Sequence, residues 1–124
     1  MAMKILSFTI PIKTVSESNS CEHWSKKNKR HTLQKWLVKK SFLDHKVELT
    51  LPVHVILIRV APRKLDKAEN LPCSFKWIYD AICDNLIPGL KPGRADSDER
   101  ITVEFRQEKG APKEYSVKII LEEK

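Results

Sequence analysis

Four carboxylates in two short clusters, Asp66 with Glu69 and Asp96 with Asp98, flank a stretch that reads as one amphipathic helix. Acids brought together in this way repel one another unless a cation holds them. Carboxylates with water and substrate oxygens are the ligands Mg2+ prefers. Bound Mg2+ can activate a water, polarise a phosphate and stabilise a leaving oxygen, and a two-ion site sets its metals about 4 Å apart. Phosphodiester hydrolysis needs all three services. Asp66, Glu69, Asp96 and Asp98 are therefore the candidate Mg2+ ligands, with Mn2+ as the substitute metal, and Lys76 is the candidate to neutralise developing charge. A strand before Asp66 and another after Asp98 can bring both clusters to one end of a sheet. The same residues also suit plainer work: Asp66 or Glu69 favours a helix start, and Asp96-Ser97-Asp98 suits a turn.

The charge distribution points toward a polyanion. The 124 residues carry a net charge of +7, from 23 basic and 16 acidic residues. Seven of the cations, Lys26, Lys27, Lys29, Arg30, Lys35, Lys39 and Lys40, lie in one run without an acid, and the rest of the chain is neutral. A local excess of this kind is the footprint of a phosphate-binding surface. His23, Trp24, His31 and Trp36 are interleaved with it, and aromatic rings can stack on exposed bases. Asn19 and Ser18, in the serine-rich stretch before it, can also reach phosphate. A nucleic acid is the expected partner, with Asn19, His23, Lys26, Lys27, Lys29, Arg30 and Lys35 as candidate contacts. A solvated basic face, or one that meets an acidic protein, is the competing reading.

The elements that would position these residues follow from periodicity. Residues 4–12 alternate as a half-buried strand that Pro11 ends or holds at an edge. The basic run becomes helical by about Thr32, where Leu33, Trp36 and Leu37 share a face. Its earlier cations surround the helical axis, so 26–31 is expected as a loop or arm, with Trp36 in the core. Residues 47–51 alternate up to Pro52, and the apolar run 53–60 reads as a central strand with helices on one side and another subunit on the other. His54 within it reads as a satisfied core histidine. Pro72 suits a first helical turn, and Phe75, Ile78, Tyr79, Ile82 and Leu86 then line one face of a helix. Two alternating stretches, 101–109 and 114–122, separated by Gly110 and Pro112, predict a closing hairpin.

The expected fold is thus α/β (α+β): one domain spanning 1–124, in β-α-β-α-β-β order, with a mixed sheet packed by two helices. No apolar run approaches the roughly 20 residues that cross a bilayer, and the first residues read directly into a strand, so the expectation is a cytoplasmic protein without a membrane partner. Cys21, Cys73 and Cys83 lack CxxC or CxxH spacing, which favours neither a disulfide framework nor a zinc ribbon. No motif suggests a small-molecule cofactor.

The segment ENLPCSFKWIYDAICDNLIPG, followed by ADSDERI, resembles the RusA family of Holliday-junction resolvases, most closely over about residues 60–108. The resemblance implies a homodimer that cuts four-way DNA junctions symmetrically with Mg2+. Glu69-Asn70-Leu71 is similar to the D-N-L of the first acidic motif, which adds Asn70 to the candidate DNA contacts. Asp80-Ala81-Ile82 is similar to the helix's D-A-[IL], which makes Asp80 structural. Asp98 fits the later essential acid, with Asp96 as an additional ligand, and Lys76 fits the assisting lysine. Two positions depart from the pattern. Lys67 stands where the first aspartate belongs, so Asp66 serves only through a loop one residue longer. Glu69 replaces the second aspartate and extends its carboxylate by about 1.5 Å, against Mg2+–oxygen distances of about 2.0 to 2.1 Å. The resemblance therefore leaves two outcomes, an active junction nuclease or a relative that binds branched or duplex DNA without cutting it.

Overall fold

The computed structural model describes residues 4–14, 24–65, 70–87 and 99–124. Its elements follow the expected order: β1 (Ile5–Ile10), α1 (Trp24–Asp44), β2 (Val53–Ala61), α2 (Asn70–Leu86), β3 (Ile101–Lys109) and β4 (Ser116–Glu123). The strands form one mixed sheet in the order β1-β4-β2-β3, with β2 parallel to β3 and β4 antiparallel to both of its neighbours. The chain therefore advances across the sheet in one direction twice, from β1 through α1 to β2 and from β2 through α2 to β3. Crossovers between parallel strands are right-handed, so two steps in one direction lay both helices on the same face.

That face holds the core. Phe8 and Ile10 of β1, Val53, Val55 and Leu57 of β2, Ile101 of β3 and Val117, Ile119 and Leu121 of β4 meet Val38 and Phe42 of α1 and Leu71, Phe75, Ile78 and Ile82 of α2. The α2 stripe is the one its periodicity predicts, and Pro72 sits in its first turn. On the opposite face Ile56, Ile58 and Val60 are also buried, with no helix above them among the described residues. Long polar neighbours cover them instead. Lys118 of β4 reaches across β2 to Glu108 of β3 at 3.0 Å, and His54 bonds Thr102 at 2.7 Å with Glu104 3.7 Å from its Nε2. Aliphatic stems of such side chains shield apolar surface while their heads stay in water. The two-sided apolar run thus has a cover within its own chain, and His54 is a half-buried surface residue tied to β3.

Three local expectations need correction. The helix α1 begins at Trp24, so Lys26 to His31 is helical and not an arm. Its inward residues are Gln34, Val38 and Phe42, at four-residue intervals, and this register turns Leu33 and Trp36 outward at 54% and 55% exposure. The stretch 47–50 is not strand, although Val47, Leu49 and Leu51 do pack against the core. Lastly, β3 and β4 make no hairpin. Residues 110–115 carry the chain past the end of β2, and β4 inserts between β1 and β2. Gly110 permits that crossing: its N–H donates to the Ala61 carbonyl at 2.9 Å, and a Cβ there would lie 3.0 Å from Val60 Cγ1. β4 takes the interior place because Val117, Ile119 and Leu121 are fully buried, whereas β3 has charged residues to spare for an edge.

One carboxylate pins the start of this frame. Glu123 accepts hydrogen bonds from the Thr50 N–H at 2.6 Å and the Lys4 N–H at 2.9 Å. These bonds, the Thr50 one foremost, hold its carboxyl below the usual range. A depressed carboxyl stabilises the fold fully above its unfolded value, about pH 4.3, and loses that contribution as pH falls through its lower folded value. Glu123→Ala is therefore expected to lower the urea midpoint at pH 7, with the gap to wild type closing below about pH 4. A gap that persists unchanged at pH 3 would refute the assignment.

Candidate nucleic-acid interface

Both helices of the core layer bring cations to one place. Lys26, Lys29, Lys35, Lys39 and Lys40 of α1 are exposed, and Lys27 and Arg30 are half-buried. On α2, Lys76 is exposed one turn beyond Pro72. The two helices pack side by side, and Trp77 of α2 lies at their junction, stacked on His31 of α1 with ring centroids 4.1 Å apart and planes inclined by 24°. Lys35 approaches that indole to 5.4 Å and Lys76 to 5.5 Å. Each lies within reach of the negative face of the ring, where a cation is attracted by about 0.5 to 1 kcal/mol at exposed sites. The basic run of α1 and the lysine of α2 are thus parts of one surface with an aromatic centre.

Trp77 was not among the residues singled out from the sequence. It stands two positions after Phe75, off the apolar stripe of α2 and next to Lys76. A large aromatic in that position is the signal that could have found it. The inward side of α1 at this end is unusually polar. Gln34 is 2% exposed, and its Nε2 has no hydrogen-bond partner among the described residues. Polar residues in place of an apolar stripe explain why α1 shows so little amphipathic pattern.

The four carboxylates fall outside the described residues, as do Asn19 and His23, and Asn70 is described only as the first residue of α2. What is described is where their neighbours sit. Leu65, which precedes Asp66, is held to β3 by the Gln107 side chain, which donates to the Leu65 carbonyl at 2.8 Å and accepts from its N–H at 2.9 Å. Arg59 steadies the same turn, with Nη1 donating to the Arg63 carbonyl at 2.6 Å and Nε to Thr14 Oγ1 at 2.9 Å. Arg59 is only 7% exposed, and burial lowers its pKa, with Tyr115 offsetting part of the effect. Arg100, two residues after Asp98, lies at the other end of β3, where its carbonyl accepts from the Val53 N–H at 2.9 Å. Seven residue steps separate Gln107 from Arg100, about 23 Å at a rise of roughly 3.3 Å per residue. Parallel pairing of β2 and β3 has this consequence: the chain leaves one end of the pair and returns at the other. The expectation that both clusters leave from one end of the sheet does not hold for their described neighbours.

Among the described residues, no group of three His, Cys, Asp or Glu side chains could hold a metal ion. The all-carboxylate donor set of Asp66, Glu69, Asp96 and Asp98 has the chemistry of a hard-cation site. Among the described residues Cys73 and Cys83 form no disulfide, and Cys83 is fully buried. No helix among the described residues is long and apolar enough to cross a membrane.

An apolar hollow of about 250 Å³ opens between α2 and β3, lined by Pro72, Cys73, Lys76, Tyr79, Asp80 and Phe105. A larger one, about 440 Å³, lies under residues 47–50 beside Lys4 and Asn85, away from the lysine and tryptophan cluster. Comparison with known proteins adds no relative: no family model matches the chain, and no curated protein is significantly similar to it.

Proposed function

We propose that this protein is a Mg2+-dependent endonuclease that acts on branched DNA, the four-way junction in particular, as a homodimer. The observation that carries the reading is the convergence of Lys35 and Lys76 on Trp77. It joins the basic helix, suited to tracking a phosphate backbone, to the lysine that follows the first acidic segment. In this reading Asp66, Glu69 and Asp98 hold the metal and Asp96 assists. Bound Mg2+ would supply a Lewis acid and an activated water. Lys76 meets the charge that develops on the phosphate, and Lys26, Lys27, Lys29, Arg30 and Lys35 hold the strands on either side. Two-fold symmetry suits the substrate, because two related strands call for two related sites.

Incubation of a synthetic four-way junction with the protein should give paired nicks with Mg2+ and none with a chelator. Equal product in both, or full activity of Asp98→Asn, would overturn the mechanism.

A second reading has a specific observation behind it. Leu65 and Arg100, the described neighbours of the two acidic segments, lie at opposite ends of β3, a span of about 23 Å by the rise of a strand, and Lys67 and Glu69 depart from the family pattern. Both facts favour a relative that binds branched or duplex DNA without cutting it. Calorimetry separates the two readings, since the nuclease should release or absorb heat on titration with Mg2+ or Mn2+. The binder should show neither heat nor cleavage, while its junction affinity falls steeply with salt.

A further inference from the structure

The edge strand β3 has one backbone side without a strand partner among the described residues. Two hydrogen bonds define which way its backbone faces: the Arg100 carbonyl accepts from Val53, and Gly110 donates to Ala61. Groups on a strand alternate in direction, so the even-numbered residues of β3 turn their backbone groups to β2. Val103, Phe105 and Gln107 turn theirs outward. Among the described residues β3 pairs with β2 alone, and its nine residues contain neither proline nor glycine. A long, regular edge of this kind is a template for another strand.

We propose that two chains associate through an antiparallel β3–β3 pair centred on Phe105, giving a continuous eight-stranded sheet. The two-fold character belongs to the functional reading above; the surface does not, and it is assigned here from β3 and α2. With Phe105 opposite Phe105 of the second copy, Glu104 lies opposite Arg106 and Arg106 opposite Glu104. These two residues already bond each other within one strand, on the face away from the helices. The dimer turns that pair into a square of alternating charges, in which each carboxylate has two guanidinium neighbours. Opposite charges directly across a pair are favourable and like charges are not.

The helical layer lies over the same centre. Phe105 stacks on Phe75 at 5.5 Å and meets Tyr79 edge-on at 6.4 Å, so the 75–79 turn of α2 lies over the residue on which the pair is centred. Lys76 and Asp80 bracket that turn and line the hollow beside it. A perpendicular two-fold reverses α2, bringing Lys76 of one chain toward Asp80 of the other. The half-buried Phe105 and Val103 and the open side of the 250 Å³ hollow are covered together. Other pairings centred on β3 lose this match, because only the Phe105 centre sets Glu104 against Arg106. Both helical layers then lie on one side of the joined sheet, with their basic surfaces facing the same way.

The test combines mass with charge reversal. Wild-type protein should sediment as a dimer, and Glu104→Arg should raise the dimer dissociation constant about tenfold, through two cross-strand pairs turned from attraction to repulsion. The double variant Glu104→Arg/Arg106→Glu, which rebuilds the alternating square, should restore it. Phe105→Cys should form a covalent dimer on mild oxidation, with residue 105 linked to residue 105, because directly paired Cα atoms lie within disulfide reach. A monomer at all concentrations would overturn the proposal. So would a dimer indifferent to Glu104→Arg that gives no 105–105 link, although that result leaves the two-fold of the functional reading intact. Junction cleavage, measured separately, bears on the functional reading and not on this surface.

Discussion

Phe75→Ala is expected to cost about 3 to 5 kcal/mol, the range for removing a buried aromatic ring. Phe75 has no exposed surface and lies at the centre of the inward face of α2, between Leu71 and Ile78. Its ring stacks on Phe105 with planes inclined by only 10°. Truncation therefore removes both the transfer energy of the ring and its partner on the edge strand. Neighbours cannot close the gap cheaply, since Leu71, Ile78 and Ile82 are held by the sheet below. A loss of this size is a large fraction of the roughly 5 to 15 kcal/mol that stabilises a domain. Urea denaturation should show a lower midpoint at nearly unchanged slope. The informative control is Trp36→Ala, a residue of larger volume on the outward side of α1. At 55% exposure, its removal should stay within about 0.5 kcal/mol, as surface substitutions do. A Trp36 variant as damaging as the Phe75 variant would mean that the register of α1 is wrong.

That contrast also marks where the sequence is legible and where it is not. The stripe of α2 can be read because five apolar residues recur at helical spacing and nothing else competes with them. In α1 two stripes compete. Leu33, Trp36 and Leu37 form the more apolar one, but Gln34, Val38 and Phe42 form the one that faces the sheet, and only the tertiary register selects between them. The hairpin expectation failed for a related reason. Alternation in 101–109 and 114–122 establishes two strands but not their partner, and Val117, Ile119 and Leu121 bury better between β1 and β2 than at an edge. Of the candidate site, the basic run was legible as charge, and Lys76 as an exposed residue of α2. The junction at Trp77 was not, because His31 and Trp77 are distant in sequence and meet only when α1 and α2 pack. The placing of Leu65 and Arg100, the described neighbours of the acidic segments, at opposite ends of β3 was equally hidden, since it depends on β2 and β3 being parallel.

The basic surface is where that packing can be tested against nucleic acid. Replacing Lys26, Lys29 and Lys35 together by alanine should weaken junction binding about a hundredfold near 0.15 M salt and reduce the slope of log K against log salt by about 2.7, at roughly 0.9 per phosphate contact. All three side chains are exposed on α1, and alanine is the strongest helix former, so the fold should survive and the melting temperature should barely move. The loss should be the same for junctions of different sequence, because contacts to phosphate position a protein without reading bases. It should also be the same whether or not the metal-dependent chemistry exists, which makes this experiment independent of the acidic residues. Lys35 is the informative member of the three. Restoring it alone should recover about one unit of slope, and Trp77→Leu in that background should then remove part of the gain, because Lys35 lies over the indole that Lys76 also approaches. An unchanged salt slope in the triple variant would take DNA away from α1 altogether and favour an acidic protein as the partner of this helix.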